Sequence, residues 1–171
     1  MLALPASIAS ECQIYGDNQN RIDWKILIPK VMKNIEELSL LNLLEKKDEL
    51  ESLVESLQDL RPPISSVVVH GDFYVRHILV NEVHDLVGVI DWGDIHIGDP
   101  AIDLAIAHSF LPTSALAKFR EAYGDISAET WKLALLRAIY SSTLLILYGH
   151  HSKDPVILRE GLRSLKIIAG K

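Results

Sequence analysis

Three short apolar, mostly β-branched runs, Val67–Val69, Ile78–Val80 and Leu86–Ile90, sit together mid-chain, with helical patterning on both sides. That distribution constrains the fold more than any other feature. Three short strands cannot cover two faces of a large sheet, so helices must build the core. Asn81, Glu82, His84 and Asp85 separate the last two runs, and the spacing predicts a hairpin there. The expected class is α+β, mainly helical, with a small hairpin on one side.

The helical signals are local. Asp23 is placed to cap a helix from Trp24, with Ile28, Val31, Met32, Ile35 and Leu38 at helical spacing. A second helix is expected over 46–60, stopped by Arg61-Pro62-Pro63. After Pro100 the patterning predicts helices over 100–109, 113–123, 128–148 and 155–168. Ser127 and Asp154 are their N-cap candidates, Pro155 sits at a first helical position, and Gly124 and Gly149 are the stops. The 171 residues are 49% hydrophobic. A core is therefore within reach, since a domain of about 150 residues buries roughly 68–70% of its unfolded surface. The reading is one lobe over 1–171, made of N-terminal helices (1–63), a loop-and-hairpin segment (64–98) and a helical subdomain (99–171).

Several classes are disfavoured. The start, MLALPASIAS, has no Lys or Arg before its apolar residues, unlike a secretory signal. No uninterrupted apolar run reaches the roughly 18 residues of a membrane span. The lone Cys12 excludes an intrachain disulfide and is read as inert. A cytoplasmic location is expected, with no membrane partner. The net charge of -6 argues against a nucleic-acid partner.

The charge is also unevenly placed. Between Pro62 and Ala117 the acidic residues are Asp72, Glu82, Asp85, Asp91, Asp94, Asp99 and Asp103, and only Arg76 is basic. Glu82 and Asp85 belong to the hairpin turn. The others sit just after strands or beside glycines, where turns aim side chains into clefts. His70-Gly71-Asp72 follows the first run, and His77 lies five residues after Asp72. Ile90-Asp91-Trp92-Gly93-Asp94 follows the hairpin. A base on one loop and a metal-binding carboxylate after a hairpin is the layout of kinase phosphoryl transfer, H-R-D-x-x-x-x-N followed by D-F-G. Here the strings are H-G-D-F-Y-V-R-H and D-W-G. His70 is expected to brace its loop, Trp92 to pack beneath the second loop, and Gly71 and Gly93 to give backbone freedom. Asp99 reads as a helix N-cap and Asp103 as a buried brace to the first loop. Asp94 and Asp99 are also candidates to contact substrate. His108 and the His150-His151 pair read as ordinary helix residues.

The segment VVVHGDFYVRHILVNEVHDLVGVIDWGDIHIGDPAIDLA resembles the catalytic core of the aminoglycoside phosphotransferase family. It is closer still to the macrolide-phosphotransferase-like branch. H-G-D, I-D-W-G-D and G-D-P-A-x-D-L-A carry the match in that order. The resemblance implies the C-terminal lobe of a protein-kinase-like fold, without the N-terminal β-lobe. It implies that Asp72 orients and deprotonates an acceptor hydroxyl and that Asp91 holds Mg2+ on the phosphates of ATP or GTP. His77 stands where most members carry a magnesium-binding Asn. It therefore becomes a second metal ligand, part of a softer metal site, or a hydrogen-bond partner of Asp72 or of a phosphate. Trp131 and Tyr140, in the helical subdomain, are possible acceptor contacts.

None of the nine glycines forms G-x-G-x-x-G or G-x-x-x-x-G-K-[ST]. Lys25, Lys30 and Lys33 fall on a predicted helix, not a strand. The expectation is a phosphotransferase lobe that is incompetent alone, completed by a missing or separate N-terminal lobe. The alternatives are a reduced pseudokinase-like binding domain and, more remotely, a metal-dependent phosphohydrolase using His70, Asp72, His77 and Asp91. The carboxylate-rich middle favours a small cationic acceptor.

Overall fold

The computed structural model describes residues 11, 14–62 and 67–170. The first ten residues, Cys12 and the boundary expected at 63–64 lie outside them. Helix α1, Trp24–Leu40, starts where Asp23 accepts a hydrogen bond from the Lys25 N–H at 2.9 Å. It buries Leu27, Val31, Ile35 and Leu38, one face at helical spacing. Helix α2, Lys47–Glu55, is shorter than the 46–60 expected. The Ser56 hydroxyl donates back to the Leu53 carbonyl at 2.6 Å, competing with helix continuation. Leu57 and Leu60 are still buried, so the apolar periodicity outlasts the helix.

Strand β1, Val67–Val69, pairs with a strand the sequence did not signal, His96–Gly98 (β4). The pair is antiparallel, with Val68 opposite Ile97. Only Ile97 in β4 is β-branched, so no local propensity marks it. The Ile97 N–H also donates to Tyr15 O at 2.8 Å, and the Asp17 N–H to Ile97 O at 3.1 Å, binding the N-terminal segment to this edge. The expected hairpin forms as β2, Ile78–Val80, and β3, Leu86–Val89, with an irregularity between Leu79 and Val80.

Helices α3 (Ala101–Ser109), α4 (Thr113–Tyr123), α5 (Ala128–His151) and α6 (Pro155–Ala169) follow. Ser127 and Asp154 cap α5 and α6 through their side chains. Helix α5 packs against α1, α3 and α6. Its 24 residues are long and apolar enough to cross a bilayer, yet 56% of its most apolar stretch is buried in this bundle. It runs past the expected stop at Gly149. That glycine serves a close approach: a Cβ there would lie 2.7 Å from the Leu158 Cα of α6. Gly161 is its counterpart on α6, tight against Ile146.

The bundle holds the first loop through one side chain. Asp103 on α3 is 7% exposed and accepts from the His70 N–H at 2.7 Å and the Gly71 N–H at 3.1 Å. Gly71 has φ +88°, and a Cβ there would collide with the Asp94 carbonyl. The two loops therefore touch backbone to backbone.

Two outcomes test this arrangement. Gly149→Ala should destabilise the chain by about 1–3 kcal/mol through overpacking. That exceeds the roughly 1 kcal/mol that Ala gains in helix propensity. A urea melt that moves to higher denaturant would contradict it. Burial holds the Asp103 carboxyl above its usual value, against the His70 and Gly71 hydrogen bonds. A raised carboxyl favours the protonated native state, so its contribution to stability is present below the ordinary carboxyl value of 3.8 and is lost as pH rises from there through the raised native one. Asp103→Asn should flatten that fall relative to wild type, and an unchanged slope in matched urea melts would contradict it.

Candidate active site

His70 ends β1 and turns inward. Its Nε2 lies 2.8 Å from the Ile90 carbonyl, which can only accept, so Nε2 carries the hydrogen. Its Nδ1 is buried without a hydrogen-bond partner among the described residues. At 2% exposure, His70 ties the first loop to the start of the second and does not face the cleft. The Trp92 ring lies 4.7 Å from it and donates from Nε1 to the Val89 carbonyl. Trp92 was expected beneath the loop, but it is 48% exposed, with much of its ring toward solvent.

Asp72 is exposed and lines a cavity of about 190 Å³. A single 3₁₀ turn, Val75–His77, brings His77 back under it. His77 Nδ1 donates to the Asp72 backbone carbonyl at 2.7 Å. Its Nε2 lies 3.2 Å from Asp91 Oδ2. Two arrangements satisfy that pair: an imidazolium donating to the carboxylate, or a cation shared by the two lone pairs. Asp91 takes φ +65°, ψ +55°, so the left-handed residue of the turn is Asp91 and not Gly93, which has no positive φ. Asp tolerates this region better than most residues.

The donor set fits Mg2+ bound in the usual phosphate-site manner, through one or two protein ligands with the remaining positions left to phosphate and water. Asp91 supplies the hard oxygen and its side chain is 67% exposed. The imidazole of His77 is the softer neighbour. Among the described residues no cluster of three or more His, Cys, Asp or Glu could hold a metal ion. With His70 turned to Ile90, the phosphohydrolase reading gains no support.

The remaining candidates separate. Asp94 accepts from Arg21 Nη2 at 2.9 Å, and Arg21 also reaches Asp17 at 3.1 Å. Asp99 accepts the Ala101 N–H at 2.8 Å, and burial raises its carboxyl despite that bond. Neither lines the Asp72 cavity. Tyr140 does, whereas Trp131 lines a separate cavity of about 510 Å³ with residues of α2 and α6. The Trp131 carbonyl there accepts from His108 Nε2 at 3.1 Å. His151 lies 2.8 Å from Glu37, away from both.

Sequence reasoning missed three residues. Arg21 clamps Asp94 from a segment with no motif. His96, 5% exposed, donates to the Asp94 carbonyl at 2.7 Å and shores up the second loop. Arg137 on α5 lines the Asp72 cavity with Tyr140, Ser141 and Glu160. Burial lowers its guanidinium from the usual value, although Tyr140 and Asp72 pull the other way. The one available signal was a lone arginine in an otherwise apolar stretch of helix.

The model of the phosphotransferase enzyme family matches residues 28–137. Viomycin phosphotransferase of Streptomyces vinaceus is 46% identical over 50 residues, 28% of this chain and 17% of that protein. The uncharacterized protein YcbJ of Bacillus subtilis strain 168 is 28% identical over 69 residues, 40% of this chain and 22% of its own length. Among solved structures, the GDP complex of aminoglycoside 2'-phosphotransferase-IIIa superposes with a TM-score of 0.64 at 21% identity, over 98% of this chain and 57% of that one. Macrolide 2'-phosphotransferase type I gives 0.54 at 23% identity, over 95% and 54%. These likenesses show a shared fold. The chain spans little more than half of those structures and less than a quarter of either sequence relative is matched. The family model covers well over half of these residues, and the chain belongs to the phosphotransferase enzyme family.

Proposed function

We propose that the protein transfers the terminal phosphoryl group of ATP or GTP to a hydroxyl of a small molecule. The observation that carries this reading is the His77 bridge. One ring holds the Asp72 backbone at 2.7 Å and faces the Asp91 carboxylate at 3.2 Å. It thus ties the loop that bears Asp72 to the turn that bears Asp91. The solved neighbours that are GDP complexes support a nucleotide donor.

The roles follow from placement. Asp72, at the rim of the cavity, accepts the proton of the acceptor hydroxyl as its oxygen attacks the terminal phosphorus and the bond to the nucleoside diphosphate breaks. Mg2+, held by Asp91 with His77 beside it, would neutralise charge on the phosphates. His70, Asp103 and His96 touch no reactant and keep the two loops in register. The buried face of α5 closes the acceptor side. The 171 residues contain no glycine-rich phosphate loop, so we expect negligible turnover from them alone, with the nucleotide grip supplied by other residues.

The test is transfer of labelled phosphate from ATP or GTP to a panel of hydroxylated small molecules with Mg2+. It should be run on these 171 residues and on the longest natural polypeptide that contains them. Asp72→Asn should lower kcat of the active form by about 10²–10⁴-fold, the usual worth of a general base. Asp91→Asn should raise the Mg2+ requirement. Full turnover in Asp72→Asn would overturn the proposal, and clear turnover by the 171 residues alone would overturn the expectation of negligible activity.

A further inference from the structure

Helix α5 turns one face to the Asp72 cavity. Arg137, Tyr140, Ser141, Leu144 and Leu145 recur at i, i+3, i+4, i+7 and i+8, and all line it. Arg137 is the charged member of that face. Among the described residues its guanidinium makes no hydrogen bond and no ion pair, and its one close partner is the Tyr140 ring at 5.4 Å. The side chain is half-buried in the cavity wall, so its N–H donors stay open to whatever fills that space. The acidic residues nearby are otherwise engaged. Glu160 accepts from Arg163 at 2.6 and 2.9 Å and from Ser164 at 3.1 Å. Asp72 has the work of a base under the reading above.

Other donors face the same space. Ser141 lies one helical turn from Arg137, on the same side of the helix. Ser142 is 1% exposed, lines the cavity, and its buried hydroxyl has no partner among the described residues. Of the mid-chain carboxylates that suggested a cationic acceptor only Asp72 lines the cavity, with Glu160 of α6 beside it; Asp94 is held by Arg21 and Asp99 accepts the Ala101 N–H, and neither reaches the lining. The cavity is also small. At about 190 Å³ it falls below the roughly 300–1,000 Å³ of sites for drug-sized ligands.

We propose that Arg137 grips a carboxylate on the acceptor, which makes the acceptor a compact hydroxy acid rather than a polycation. The inference rests on Asp72 marking the acceptor site. A guanidinium offers five N–H donors in a planar fork that matches a carboxylate with two parallel hydrogen bonds. Ser141 adds a hydroxyl beside it. The acceptor hydroxyl then reaches Asp72 while its charged end stays on α5.

The experiment is a binding titration of the full chain by calorimetry, with D-glycerate and D-gluconate against their uncharged amides and kanamycin. The acids should bind better than the amides, and Arg137→Gln should weaken the acids by about tenfold or more, the worth of a charged hydrogen bond, while leaving the amides unchanged. Arg137→Lys keeps the charge but loses the fork, and should fall between. If Arg137→Gln fails to fold by circular dichroism, Arg137→Lys and Ser141→Ala carry the test through the same acid-specific loss. Equal binding of acids and amides, or acid binding indifferent to the Arg137 and Ser141 variants, overturns the inference, as does kanamycin binding tighter than every acid. Because the readout is binding, the two readings fail separately. Arg137-dependent acid binding without phosphoryl transfer sinks the function, and transfer without acid preference sinks this inference.

Discussion

One buried carboxylate organises the molecule. The backbone N–H groups of His70 and Gly71 leave the end of β1 inside the protein, and Asp103 accepts both. Left alone, each would cost about 1–3 kcal/mol as a buried unpaired donor. The charge is carried into the core to meet them, and burial raises its carboxyl in consequence. The loop bearing Asp72 is thereby fixed to α3, which packs on α5. The same contact therefore sets both walls of the cavity, the Asp72 loop on one side and the Arg137 face on the other.

The second loop is fastened from three directions. Gly71 presses on the Asp94 carbonyl, His96 donates to that carbonyl, and Arg21 takes the Asp94 side chain. Asp91 is left as the exposed carboxylate of the turn, in a left-handed backbone conformation, with His77 behind it. Sites often hold such backbone where the surroundings over-determine it. Here the surroundings are named: a strand edge, two histidines and an arginine from the N-terminal segment.

What the sequence revealed follows from distance along the chain. The caps at Asp23, Ser127 and Asp154, the hairpin and the Asp72–His77 loop each depend on residues within a few positions, and each was legible. Asp103 was legible too, because the residues around it form part of a recognisable string. Strand β4 was not, since its pairing with β1 is long-range and its own residues carry no strand preference. Gly149 read as a stop because a glycine before Ser152 and Asp154 looks like a helix end. Its reason, a neighbouring helix pressed against it, lies outside any window. Arg21 reaches Asp94 across the fold, and Arg137 meets the Asp72 loop only through the packing of α5, so both change the electrostatics of the site. A segment that is acidic in sequence is divided in the fold: Asp94 is clamped, Asp99 bonds the start of α3, Asp91 stays exposed on its turn, and Asp72 shares its cavity with a guanidinium.

Under the proposed function, His77 and Asp91 together mark where a phosphate-bound metal would sit. Titrating Mn2+ into the isotopically labelled chain and following paramagnetic broadening by NMR tests it most directly. The account predicts that resonances of His77, Asp91 and their loop neighbours broaden first, and that Asp91→Asn removes the effect while Trp131, in its separate cavity, stays sharp. Broadening that begins elsewhere, or that survives Asp91→Asn unchanged, would contradict it.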